Sequence, residues 1–245
     1  MAVAGAARAD GDTGVFVYDI QHPYHGSIGT YTNIVKGESG ATVVNSQTRI
    51  SVKLGVFTLY RQEADRIEVW CGGRLKYYDS VTNTNGEDQA VRGWAQDDRF
   101  VIDRNDKRTL APADIVPTNP WFSGITEATT LISPVAGRVQ NVSVKTARSD
   151  TVELAEGEID AARYEVDGDL DLDLWYDDEG GLLKFTYPSK HDLLTFILTE
   201  RRGELPEKIS QPTSCPASES LAKAEIRRRS GNAPSPEPLR SQSRR

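Results

Sequence analysis

Apolar and polar residues alternate with period two over most of this chain. The clearest run is Asp169-Leu170-Asp171-Leu172-Asp173-Leu174-Trp175. Successive side chains of a strand point to opposite faces, so this run predicts one dry leucine row and one wet aspartate row. The same rhythm recurs in many other segments. Residues 14–20 predict a first strand with Phe16, Tyr18 and Ile20 on one face. A turn at 22–26 and a strand over 28–35 follow. Residues 42–53 predict a long strand with Val44, Ile50 and Val52 inward. Gly55 marks a bend before 56–61, and the apolar row continues through Ile67, Val69 and Cys71.

Turn chemistry sits between these segments. Gly72-Gly73 and Asn85-Gly86 predict tight hairpins, because both pairs tolerate positive φ. Asp97-Asp98, Asn105-Asp106 and the stretch from Asp177 to Gly181 are further turn sites. The rhythm breaks at 111–134, where Pro117-Thr118-Asn119-Pro120-Trp121-Phe122 stands out. Residues 126–132 predict a short helix crossing one end of the sheet. Alternation then resumes and runs to about residue 198.

The expected fold is therefore all-β with minor α. It is one curved antiparallel sheet, half-barrel or barrel-like, over 12–202, with a short helix or irregular cap near 117–133. Beyond 203 Pro, Ser, Arg and Glu dominate, which predicts a disordered tail over 203–245.

Charge narrows the partners. The tail holds eight basic and five acidic residues, against 21 basic and 31 acidic over 1–202. The body thus carries about −10, which repels phosphate backbones and argues against a nucleic-acid partner. No run of eighteen apolar residues exists, so no transmembrane segment is expected. Arg227-Arg228-Arg229 is too small a basic cluster to outweigh a solvated tail.

The first residues end in Ala7-Arg8-Ala9, the small-x-small pattern of a signal-peptidase site. Residues 1–11 are read as the remnant of a signal peptide or as a flexible end. The first reading places the protein in the periplasm or outside the cell, and the second leaves it cytoplasmic. Cys71 and Cys215 form no disulfide framework by count, and an idle, buried Cys71 is preferred to a bridge between tail and body.

Candidate chemistry is sparse. His22 and His25 flank Pro23 in a turn beside Asp19, and His191 stands next to Asp192. A metal site needs a third or fourth ligand on rigid support, so no metal or cofactor is expected. Asp169, Asp171 and Asp173 lie about 7 Å apart along a strand, too far to share one cation. No nucleophile elbow, phosphate loop, dinucleotide fingerprint or zincin motif is present. Trp121 and Phe122 suit either a lid on a ligand cavity or anchors for a long crossover.

Several segments together resemble a bacterial family of unknown function, the domain-of-unknown-function 6134 family. They are Val17-Tyr18-Asp19, Ser27-Ile28-Gly29-Thr30, Phe57-Thr58-Leu59-Tyr60-Arg61 and Glu68-Val69-Trp70. Ala111-Pro112-Ala113-Asp114, Pro117-Thr118-Asn119-Pro120-Trp121 and Leu172-Asp173-Leu174-Trp175-Tyr176-Asp177 continue the likeness. It covers about residues 14–200. It implies an exported protein with no assigned chemistry. A more distant resemblance, to half-barrels of the lipoprotein-localisation type, implies a concave apolar face that holds acyl chains.

The leading expectation is a non-enzymatic envelope protein that binds a lipid or other apolar ligand. Trp121, Phe122, Leu172, Leu174 and Trp175 are assigned to the lining or lid. A structural module that binds an envelope protein partner is the first alternative, and a hydrolase using one of the three histidines is the second.

Overall fold

A computed structural model describes residues 13–38, 40–55, 57–189, 192–205, 220 and 222–223. Its strands, in chain order, are β1 (Thr13–His22), β2 (Gly26–Glu38), β3 (Ala41–Leu54), β4 (Phe57–Cys71), β5 (Arg74–Thr84) and β6 (Glu87–Gln96). They continue as β7 (Arg99–Arg104), β8 (Lys107–Pro112), β9 (Val116–Pro117), β10 (Thr130–Ile132) and β11 (Val139–Val144). The last five are β12 (Arg148–Leu154), β13 (Gly157–Gly168), β14 (Leu172–Tyr176), β15 (Leu182–Ser189) and β16 (Asp192–Arg202).

All belong to one large curved sheet that does not close into a barrel. From β8 the order runs down through β1, crosses to β16, and then runs down to β13, β11, β10 and β9. Strand β12 pairs with β13 off this path. Pairing is antiparallel except between β9 and β10. Strand β1 pairs with β16, so the two ends of the sheet-forming chain meet in mid-sheet.

The predicted hairpins form where turn chemistry allows them. Asn85 and Gly86 take φ of 53° and 93°, and Gly72 and Gly73 take 59° and 71°. Two consecutive positive-φ residues match the twist of the flanking strands. The row of Phe16, Tyr18 and Ile20 is buried, as are Val44 and Ile50, with Val52 packed against them. One irregularity is consequential: Ile20 pairs with Gly29 but Gln21 pairs with Ser27, which leaves Ile28 as a bulge. Next to it, Gly29 lies hard against the backbone of Arg49 and Ile50 on β3.

The structure departs from the sequence reading at the predicted helix, at one strand face and at Cys71. The helix over 126–132 is absent. A single 3-10 turn spans Ser123–Glu127, and Thr130–Ile132 is a strand. Thr129, Thr130 and Ile132 are β-branched and stiff at χ1, and β9 and β11 supply pairing partners on both sides. The row Ile67, Val69, Cys71 does not continue the interior. Ile67 and Val69 pack with Ala41, Val43, Tyr77 and Trp94 in a separate cluster on the other face. The interior of β4 is instead the even-numbered row that includes Arg66, Glu68 and Trp70. Both faces of β3–β5 are covered here, so alternation does not say which row points inward.

The cover of that outer cluster comes from the tail. Ala222 is helical, fully buried and part of the cluster. Cys71, at the adjoining strand end, is disulfide-bonded and not idle. The chain's one other cysteine, Cys215, lies outside the described residues, as do residues 1–12, His191, the Arg227–Arg229 triplet and most of 203–245. Replacing Cys71 with serine is expected to cost about 2–4 kcal/mol. It should also raise amide exchange at Val43, Val69 and Tyr77. Unchanged stability and exchange would show that the bridge does not hold the cover in place.

Candidate functional site

The concave interior has two parts, one filled and one open. The filled part is built around Glu68, which is fully buried on β4. Its carboxylate accepts hydrogen bonds from Trp70 Nε1 at 2.8 Å, Trp121 Nε1 at 3.1 Å and Asn119 Nδ2 at 2.8 Å. Asn119 also donates to Ser46 Oγ at 2.9 Å and accepts from Tyr31 and Asn33. Burial pushes the Glu68 carboxyl above its ordinary range, against the pull of its three donors and of Arg66.

This network ties the proline-rich connection 111–122 into the sheet. Tyr176 adds hydrogen bonds to the carbonyls of Pro120 and Phe122, at 3.0 and 3.2 Å. The Phe122 ring lies 4.4 Å from Trp121 and 5.0 Å from Trp70. The segment is thus a plug, built by aromatic area and satisfied by its indole N–H and carbonyl groups.

The open part is a cavity of about 430 Å³ toward the other end of the half-barrel. Its apolar wall includes Ile28, Ile50, Val52, Phe185, Leu194 and Phe196. Phe185 and Phe196 stack at 4.1 Å, and Tyr31 meets both edge-on at 5.8 Å. Polar side chains share the wall: Thr48, Gln62, Arg66 and Thr118, the hydroxyl-bearing Tyr31, Tyr60 and Tyr187, and the group His22, His25, Ser189 and Asp192. Burial pushes the Tyr31 hydroxyl up to about 12, opposed by the nearby Arg66 guanidinium.

The mouth is bordered by the β1–β2 turn and by the adjoining ends of β3, β4, β15 and β16. Tyr24, Phe57, Leu59 and Leu193 stand exposed there. His22 Nε2 lies 3.3 Å from Asp192 Oδ2, while its Nδ1 accepts the Tyr24 backbone N–H at 3.2 Å. Both ring nitrogens are therefore engaged. The His25 ring lies 4.7 Å from that of His22. Ser189 lines the same cavity, yet among the described residues no serine hydroxyl hydrogen-bonds either ring. A histidine acting on a nucleophile needs one nitrogen within reach of it. Among the described residues no group of three or more His, Cys, Asp or Glu side chains is placed to hold a metal. No helix among them is long and apolar enough to cross a membrane.

None of the five residues assigned from sequence to the lining or lid borders this cavity. Trp121 and Phe122 sit in the plug. Leu172 and Leu174 are buried in the main core. Trp175 belongs to the opposite parity. Its Nε1 donates to Asp150 Oδ2 at 2.8 Å, and Lys184 and Arg163 stack over its ring at 4.4 and 5.2 Å. The cavity walls that sequence reasoning missed come from β2, β3, β4, β15 and β16. Of these, period alone marks only Ile50 and Val52 as inward. Arg66 carried no signal, since a charge on a strand ordinarily reads as solvated.

The fold has a known counterpart. A crystal structure of a beta-barrel-like protein of domain of unknown function DUF1849 from Brucella abortus is similar, with a TM-score of 0.55 at 11% sequence identity. The match covers 80% of this chain and 99% of that one. At that identity the likeness concerns the fold alone. No curated protein sequence matches the chain. The family model described as domain of unknown function DUF6134 matches residues 18–199, which include every residue that lines the cavity. The chain belongs to the DUF6134 family.

Proposed function

We propose that this protein is a non-enzymatic binder of an apolar ligand, such as an acyl chain or lipid, held in the half-barrel cavity and working in the cell envelope. The observation that carries the reading is the cavity itself. Its volume of about 430 Å³ falls within the range of small-molecule pockets, and Ile28, Ile50, Val52, Phe185, Leu194 and Phe196 give it an apolar wall beside its polar groups. A ligand that buries about 300 Å² of apolar surface there gains roughly 7 kcal/mol before the cost of association is subtracted. The disulfide at Cys71 supports the envelope location, because such bonds persist in oxidising compartments.

Native mass spectrometry of the purified full chain, with organic extraction of what co-purifies, tests the reading. A stoichiometric lipid or fatty acid is the expected result. The variant Ile50→Trp, which fills the cavity from β3, is expected to weaken binding of added dodecanol and palmitate at least tenfold. A clean apo mass and no shift with either compound would overturn the proposal. That outcome would favour an interaction module instead, for which the exposed Tyr24, Phe57, Leu59 and Leu193 at the mouth are the candidate contact surface.

A further inference from the structure

The hairpin of β7 and β8 ends in a pair of like charges. Arg104 and Lys107 face each other directly across the two strands. Side chains so placed have Cβ atoms about 5 Å apart, and like charges in that position destabilise a sheet. Ile102 and Thr109 are the next pair on the same face. These four line a cleft of about 560 Å³, together with Asn105 and with residues 136–139 of the β10–β11 connection. Arg138 on that connection is the third cation of the lining.

Among the described residues no acidic side chain lines the cleft. Asp103 belongs to the opposite face of β7, where it accepts from Arg108 Nε at 3.2 Å. Arg104 makes one long hydrogen bond, to Gln89 Oε1 at 3.4 Å, and its Nε is buried without a partner. The side chains of Lys107 and Arg138 make no hydrogen bond or ion pair among the described residues.

The support is rigid. The Ser133 N–H donates to the Arg138 carbonyl, and the Gly137 N–H to the Ser133 carbonyl, both at 2.9 Å. Gly137 takes φ of 61°, and a Cβ there would lie 3.2 Å from Val91 and 3.5 Å from Arg104 Cβ. The loop thus seats on the arginine stem and holds Arg138 at the same cleft as the Arg104–Lys107 pair.

Three cations gathered without a carboxylate, in a body of negative net charge, are compensated by a bound anion. Two guanidiniums, an ammonium, the Thr109 hydroxyl and the Asn105 amide offer more donors than the two oxygens of a carboxylate take up. The three terminal oxygens of a phosphate group match them better. We infer that this cleft binds a phosphate group, either as the free ion or as a phosphomonoester. Its lining shares no residue with the apolar cavity, so this site and the binding reading above stand or fall separately.

The test titrates the full chain with inorganic phosphate, glycerol 3-phosphate and acetate at matched ionic strength, followed by amide shifts and calorimetry. Saturable shifts at Asn105, Lys107 and Gly137 are expected with at least one of the two phosphates, which binds at least tenfold tighter than acetate. The tighter of the two identifies the source as free ion or monoester. Arg138→Gln, at an exposed position, is expected to weaken binding at least fivefold, and Arg104→Gln at least as much. Arg108→Gln removes the same charge from the other face of the hairpin and is expected to stay within twofold of wild type. Acetate binding as tightly as both phosphates, an equal loss in Arg108→Gln, or shifts that avoid the cleft would overturn the inference. So would the absence of any shift at millimolar phosphate.

Discussion

Glu68→Ala is expected to destabilise the protein by about 3–5 kcal/mol, measured as a fall in the urea midpoint at unchanged slope. The change removes the acceptor shared by Trp70, Trp121 and Asn119, and leaves three buried donors with nothing in their place. It also removes a buried carboxylate that the charge of Arg66 acts on. Glu68→Gln is expected to cost less, since it keeps the shape and one acceptor. A loss below about 1 kcal/mol for the alanine variant would show that the plug is held by aromatic packing alone.

The same carboxyl sets a pH dependence of definite sign. Burial raises its folded-state value above the unfolded one. The protonated form is therefore the one that folding favours. Its contribution is fully present below the unfolded value and is lost as pH rises through the raised folded value. The stability of the wild type relative to Glu68→Gln should thus fall across that window as pH rises. A flat difference would mean that the donors fully offset burial.

Gly29→Ala is the second large expected loss, about 3 kcal/mol. A Cβ at this position would lie 2.0 Å from the Arg49 carbonyl oxygen and 2.9 Å from the Ile50 Cα. Both obstacles are backbone, so no side-chain rotation relieves the clash. The strands must separate, and overpacking of that kind costs about 1–3 kcal/mol or more. In an unobstructed strand the same change would be neutral or mildly favourable, because alanine loses less chain entropy. Ile28 and Ile50, on either side of the glycine, line the cavity, so separating the strands should also reshape its wall. A urea midpoint within about 1 kcal/mol of wild type would contradict the close approach.

The fold was legible in the sequence wherever one face was dry and the other wet. Phe16, Tyr18 and Ile20, or Leu170, Leu172 and Leu174, declare their side by period alone. Hairpins were legible because their backbone demands particular residues, as at Asn85-Gly86. The interior of β4 was hidden, because both of its faces are covered and the inward row holds Arg66 and Glu68. Local rules place such charges in water. What holds Glu68 inside is a partner set drawn from Asn119 and Trp121, some fifty residues away. The proline-rich segment was visible as unusual, but its role as a plug depends on those same distant donors. The cavity wall draws on β2, β3, β4, β15 and β16, a grouping that exists only once β1 has met β16. The bridge at Cys71 had no spacing rule behind it.

That meeting of β1 and β16 has a kinetic consequence. Val15 pairs with Arg202, and Tyr18 with Leu198, across almost the whole folded chain. Hairpins such as β4–β5 close early, since short loops cost little entropy to close. The seam between the two halves is expected to close last, since contacts so distant in sequence slow folding. Ile50 lies on one side of that seam and Phe185 on the other. On that order the cavity takes shape in the final step of folding, and a molecule bound there would stabilise the protein by bridging the two halves.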